Sequence, residues 1–172
     1  MKNYDHQTFY EVPLSPSPNL KSTNAIYLYP SLCFFEGTIV SVGRGTGHPF
    51  EVMGHPDFAT GSYVFTPRSM EGAKHPRYEG KQCFGTSLIN YTKNAGIPKK
   101  IELSWLISYY NFFKDNTDFF NDYFDTLAGS SRLREQIQSG ISKEEIRLSW
   151  QEDLEKFKKT RKKYLLYKES GE

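Results

Sequence analysis

Cysteine, tryptophan and methionine are scarce in this 172-residue chain, at 2, 2 and 3 copies. The two cysteines, Cys33 and Cys83, belong to no Cys-x-x-Cys pair and no Cys/His cluster, so a zinc site is not expected. A disulfide between them is unforced, and two separately buried thiols are the expected arrangement. Neither charge is in surplus. Lys and Arg number 22 against 20 Asp and Glu, a net charge of +2 that argues against a nucleic-acid partner. No apolar run reaches the ~18 residues a membrane-spanning helix needs. Residues 1–12 contain no apolar h-region, so they are not expected to act as a signal peptide.

What is present describes a globular chain. Hydrophobic residues make up 37% and charged residues 24%, which fits a folded core rather than disorder. A chain of this length buries roughly 70% of its unfolded surface and needs no metal or disulfide to fold. Aromatics reach 16%, with 12 Tyr and 13 Phe. Most are expected in the core or an interface, and tyrosine also suits a sugar-binding surface.

Residues 1–24 read as an extended lead-in, because prolines alternate with small polar residues from Leu14 to Asn19. Such a segment joins or drapes over domains, which points to a partner domain before residue 1. The rest, 25–172, reads as one domain. Pro30–Glu36 is expected to form a short helix stopped by Gly37. Thr38–Val42, Phe50–Met53, Ser62–Thr66 and Gln82–Asn90 are strand candidates, and Pro67–Gly80 between them is an exposed loop. Helices are expected over Pro98–Phe113, Phe119–Leu127 and Ser130–Gln138, the last closed by Gly140. Ser142–Glu145 has the spacing of a capping box. Beyond it Trp150, Leu154, Phe157, Arg161 and Tyr164 fall on one helical face, and Leu165–Tyr167 is a last strand or turn. Acidic Glu152, Asp153 and Glu155 precede a basic run from Lys156 to Lys163, the order a helix dipole favours. Strands first and helices later predict an α+β fold, a small mixed sheet packed against several C-terminal helices.

One segment is chemically dense. Phe35–Glu51 holds Glu36 and Glu51, Arg44, the hydroxyls of Thr38, Ser41 and Thr46, and four glycines within 17 residues. Glycines let backbone approach a ligand closely, and arginine offers a planar fork to an anion. The competing explanation is an ion pair, Glu36–Arg44 or Arg44–Glu51, that merely fixes a tight loop; composition does not separate the two. Gly43–Gly47 lacks the Lys-Ser/Thr of a phosphate loop, and no helix is expected to follow it.

Ser15–Leu20, Tyr29–Thr38, Ser41–Thr46, Pro49–Glu51 and the terminal Phe157 and Arg161–Tyr167 resemble the NamZ family of exo-β-N-acetylmuramidases. The resemblance runs through the chain in order and covers that family's C-terminal domain. It implies a second, N-terminal Rossmann-like domain carrying the main catalytic carboxylate, so catalysis by this chain alone is not expected. It also implies release of N-acetylmuramic acid from the non-reducing end of peptidoglycan fragments in a periplasmic or secreted parent, with no cofactor and no metal. In that setting Arg44 would clamp the lactyl carboxylate and Glu36 would orient it or hold a sugar hydroxyl. Thr38 and Thr46 would donate to sugar oxygens, and Glu51 is a second carboxylate. His48 joins this substrate-binding set, while His55 and Asp57 are weaker candidates. Glu36 and Glu51 are the weak catalytic candidates. The alternative is a non-catalytic glycan-binding or protein-interaction module.

Overall fold

The computed structural model describes residues 8–115 and 118–165. Its fold is α+β, as expected. The sheet has three strands, β1 (Val52–His55), β2 (Tyr63–Phe65) and β3 (Cys83–Ser87), in the order β1-β3-β2. Every pairing is antiparallel, so the sheet is not mixed. Met53 faces Thr86 across one ladder and Val64 faces Phe84 across the other. The small sheet leaves most of the burial to helices.

Helix α1 (Thr23–Leu32) starts earlier than its sequence suggests and enters the expected lead-in. Ser22 caps it, its hydroxyl accepting from the Ala25 amide at 2.9 Å. Ala25, Leu28 and Leu32 then stack on one buried face. Pro30 lies in the last turn rather than the first, and the chain tightens into a 3₁₀ turn at Cys33–Gly37. Gly37 ends that turn. A Cβ there would strike the Phe124 backbone at 2.5 Å, so only glycine lets the turn touch the distant helix Tyr123–Ala128.

Thr38–Val42 is not a strand. It makes two isolated bridges, Thr38 to Phe120 and Ser41 to Gly54. Thr38, Val40, Ser41 and Val42 are all buried, so the segment lies inside the molecule with neither face outward. It thereby links the sheet to the helical half.

That half comprises α2 (Tyr91–Ala95), α3 (Ser104–Phe112), α4 (Tyr123–Ala128), α5 (Arg132–Gln138), α6 (Lys143–Leu148) and α7 (Gln151–Arg161). α3 begins six residues later than the Pro98 start expected, where the Glu102 carboxylate accepts the Ser104 amide at 2.9 Å. Tyr109 pins α3 to the sheet by donating to the Met53 carbonyl at 2.9 Å. One apolar cluster joins α1, the 3₁₀ turn and α3 to α6, through Leu28, Phe35, Leu106, Phe124, Ile137 and Ile146. Val52, Phe65 and Cys83 form a satellite under the sheet. The capping box at Ser142 is present, with Glu145 reaching back to the Ser142 amide. The helix expected to carry the stripe from Trp150 is present as α7, but it buries no residue, and Leu154, Phe157 and Tyr164 are exposed. Leu166 and Tyr167, at the end of the expected last element, lie outside the described residues. No helix among the described residues is long and apolar enough to cross a membrane.

Candidate functional site

The buried Phe34–Phe35 pair anchors the 3₁₀ turn and leaves Glu36 at its edge. Eight residues on, the chain doubles back through Gly43 and Gly45, at φ +75° and +85°, the left-handed region that suits glycine. Arg44 between them faces Glu36, and Nη1 donates to Oε1 at 2.7 Å. The side chains are 43% and 21% exposed, so this is a surface pair worth ~0–1 kcal/mol. It positions two groups more than it stabilises the fold. Of the two ion pairs the sequence allowed, Glu36–Arg44 is the one formed.

The pair stands on the wall of an open cavity of about 420 Å³. Two further stretches line it, Val40–Val42 and Gly72–Arg77. The second of these stretches comes from the loop expected to be exposed. It is exposed at most of its positions and is tethered as well. The Arg68 amide donates to the Gly45 carbonyl at 2.8 Å, and Pro76 packs where a Gly45 Cβ would stand, at 2.6 Å. Arg44 Nη2 and Asn19 both donate to the Gly72 carbonyl, at 3.3 and 2.8 Å, so the lead-in drapes over this loop. Tyr78, at φ +60°, donates its hydroxyl to the Ile39 carbonyl at 2.7 Å.

The other expected site residues lie elsewhere. Thr38 is 1% exposed and spends its hydroxyl inside its own turn, donating to the Phe35 carbonyl and accepting from the Val40 amide. It is not among the residues that line this cavity. Thr46 does the same for the glycine loop, bonding the Gly43 carbonyl and the His48 amide. Glu51 is buried and accepts from Ser22 and Asn24 at 2.8 and 2.7 Å. It therefore ties α1 to the loop and is not among the residues that line this cavity. His48 is 3.4 Å from Glu51 on the same side. Sequence reasoning missed Lys74, His75 and Arg77, which line the cavity with Glu36 and Arg44. Their signal was the basic run from Lys74 to Arg77 inside a Gly- and Pro-rich loop.

Neither thiol supplies chemistry. Burial, followed by the Glu36 carboxylate, pushes Cys33 upward, and burial lifts Cys83 to about 11, so both stay protonated near neutrality. His55 is buried edge-on to Tyr78 and Phe113, with ring centroids 4.9 and 4.7 Å away. Its Nδ1 accepts the Asp57 amide at 3.0 Å, which requires an unprotonated Nδ1. Burial lowers its pKa below the ordinary 6.5, opposed by the Asp57 carboxylate and aided by Arg77. A lowered folded pKa means that the unfolded chain takes the proton first as pH falls. Stability is therefore expected to hold above pH 6.5 and to decline from there toward the lower folded value. Urea midpoints at pH 7.5 and 5.5 check this, and His55→Gln should flatten the difference.

Residues 27–167 match the family model described as the C-terminal region of the exo-β-N-acetylmuramidase NamZ. The chain is 31% identical over 164 residues to the peptidoglycan β-N-acetylmuramidase NamZ of Bacillus subtilis (strain 168), covering 88% of this chain and 40% of that one. A crystal structure of a DUF1343 family protein from Bacteroides fragilis NCTC 9343 superposes with a TM-score of 0.91 at 47% identity, over 98% of this chain and 48% of the other. A second DUF1343 family structure from the same organism shares the fold, with a TM-score of 0.60 at 19% identity over 90% of this chain and 45% of the other. The chain thus spans less than half the length of the relatives it matches. On the family match and the identity to NamZ, the chain belongs to the family of NamZ C-terminal domains.

Proposed function

We propose that this domain lines the substrate cleft of a cell-wall glycoside hydrolase that releases N-acetylmuramic acid from the non-reducing end of peptidoglycan fragments. The observation that carries this is the Glu36–Arg44 pair on the wall of an open cavity, its groups half-exposed and held by glycine turns. Arg44 has N–H groups beyond those given to Glu36 and Gly72, and these would meet sugar oxygens. Glu36 would orient Arg44 and accept from a ring hydroxyl.

Hydrolysis of a glycosidic bond generally takes an acid and a second carboxylate. Among the described lining residues Glu36 is the only carboxylate, and Arg44 already neutralises it. The described wall of this cavity thus supplies one carboxylate where two are generally used. That shortage supports a division of labour in which an N-terminal Rossmann-like half contributes the main catalytic carboxylate. A periplasmic or secreted setting follows from the substrate, since peptidoglycan lies outside the cytoplasm.

A chromogenic β-N-acetylmuramide tests the proposal. The chain alone should release no chromophore above background, and the chain joined to a Rossmann-like half of this family should release it with turnover. Release by the chain alone would refute the division of labour. A joined, folded protein that leaves the substrate intact would refute the hydrolase assignment.

A further inference from the structure

Charge within the cavity is unevenly matched. Glu36 closes on Arg44 at 2.7 Å, and the second terminal nitrogen of Arg44 is spent on the Gly72 carbonyl. Lys74 and Arg77, which line the same cavity, form no ion pair with any carboxylate among the described residues. The lining therefore carries two cations with no ion-pair partner among the described residues. Concave walls of one sign concentrate oppositely charged ligands.

We propose that Lys74 and Arg77 form the anion pole of the cavity and select an acidic sugar over its neutral counterpart, with Arg44 serving as the strap that holds their loop. This rests on the sugar-binding assignment above and adds to it the residues that read the acid. N-acetylmuramic acid differs from N-acetylglucosamine by a lactyl ether ending in a carboxylate. A guanidinium beside an ammonium is suited to that group, bidentate from one and point-charge from the other. The clamping role expected of Arg44 from sequence passes to these two residues, because Arg44 already has its carboxylate.

Preorganisation supports the assignment. Arg77 precedes Tyr78, whose side chain is held by its hydroxyl's bond to the Ile39 carbonyl at 2.7 Å and by the edge-on ring of His55. Arg77 thus stands directly before a residue whose ring is anchored to the core segment. At the other end, Arg44 and Asn19 converge on Gly72. A loop fastened at both ends has little backbone entropy left to lose on binding.

Titration calorimetry of the 172-residue chain with N-acetylmuramic acid and with its neutral lactyl methylamide tests the proposal. The unsubstituted chain is expected to favour the acid by about tenfold. Lys74→Gln combined with Arg77→Gln should bring the ratio close to one while leaving affinity for the amide within about twofold, and Lys74→Arg should keep the preference. Arg44→Gln should weaken both ligands together and preserve the ratio. Matching circular dichroism and thermal midpoints of the variants verify the fold, which is expected because Lys74 and Arg77 are exposed. Equal binding of acid and amide by the unsubstituted chain overturns the anion pole, as does a double variant that keeps its preference. Binding of neither sugar overturns the sugar-binding assignment instead.

Discussion

Replacing Phe35 with alanine is expected to remove about 3–5 kcal/mol of folding stability. The ring is fully buried and meets Tyr109 edge-on at 5.6 Å. It joins the 3₁₀ turn to α3, so the void would open where two halves of the fold meet and where neither is free to collapse. Against a total of ~5–15 kcal/mol, such a loss leaves a marginal protein. The thermal midpoint should drop by roughly 6–20 °C, at about 2–4 °C per kcal/mol for a chain of this size. Phe157→Ala serves as the control. That ring is 61% exposed, so its loss should stay within about 0.5 kcal/mol. Equal urea midpoints for the two variants would show that the aromatic core has been misassigned.

Arg44→Ala is the second large effect, and it should be read in binding rather than in stability. Its pair with Glu36 is a surface pair, so the folding cost should stay below ~1 kcal/mol. Loss of its charged hydrogen bonds is worth about 2 kcal/mol, which is about thirtyfold in affinity for N-acetylmuramic acid. Two routes lead to that loss: the contacts Arg44 would make to the sugar, and the slackening of the Gly72 attachment it maintains. Calorimetric titration beside a melting curve separates binding from unfolding. Unchanged affinity at an unchanged melting temperature would remove Arg44 from the site.

The features legible in the sequence are those whose physics is local. Ser142 and Glu145 satisfy each other's backbone across three residues, and their spacing announces it. Glu36 and Arg44 are eight residues apart on a glycine-rich turn, so their pairing was already one of the options. Features set by distant neighbours were illegible. Ser22 caps α1 without a Glu or Gln three residues on, so no capping-box spacing marked the start, and Pro30 suggested a first turn where it occupies a last one. Thr38–Val42 has strand-like composition, yet it runs through the interior and meets only single bridging residues. The stripe on α7 is truly periodic, but periodicity says that a face is apolar and not that anything packs against it. Lys74 and Arg77 were missed because the contact between Gly45 and Pro76 brings together segments that are far apart in the chain.

Two backbone hydrogen bonds described by the fold set a schedule for synthesis. The Ile39 amide donates to the Phe119 carbonyl, and the Asn121 amide donates to the Gly37 carbonyl, both at 2.9 Å. The turn that carries Glu36 is therefore completed by residues roughly eighty positions downstream, a separation that slows folding through the entropy of closing so long a loop. On a ribosome adding ~5–20 residues per second, the nascent chain waits about 4–16 seconds with its N-terminal aromatics uncovered. Chaperone dependence during translation, rather than after release, is the behaviour this wiring favours.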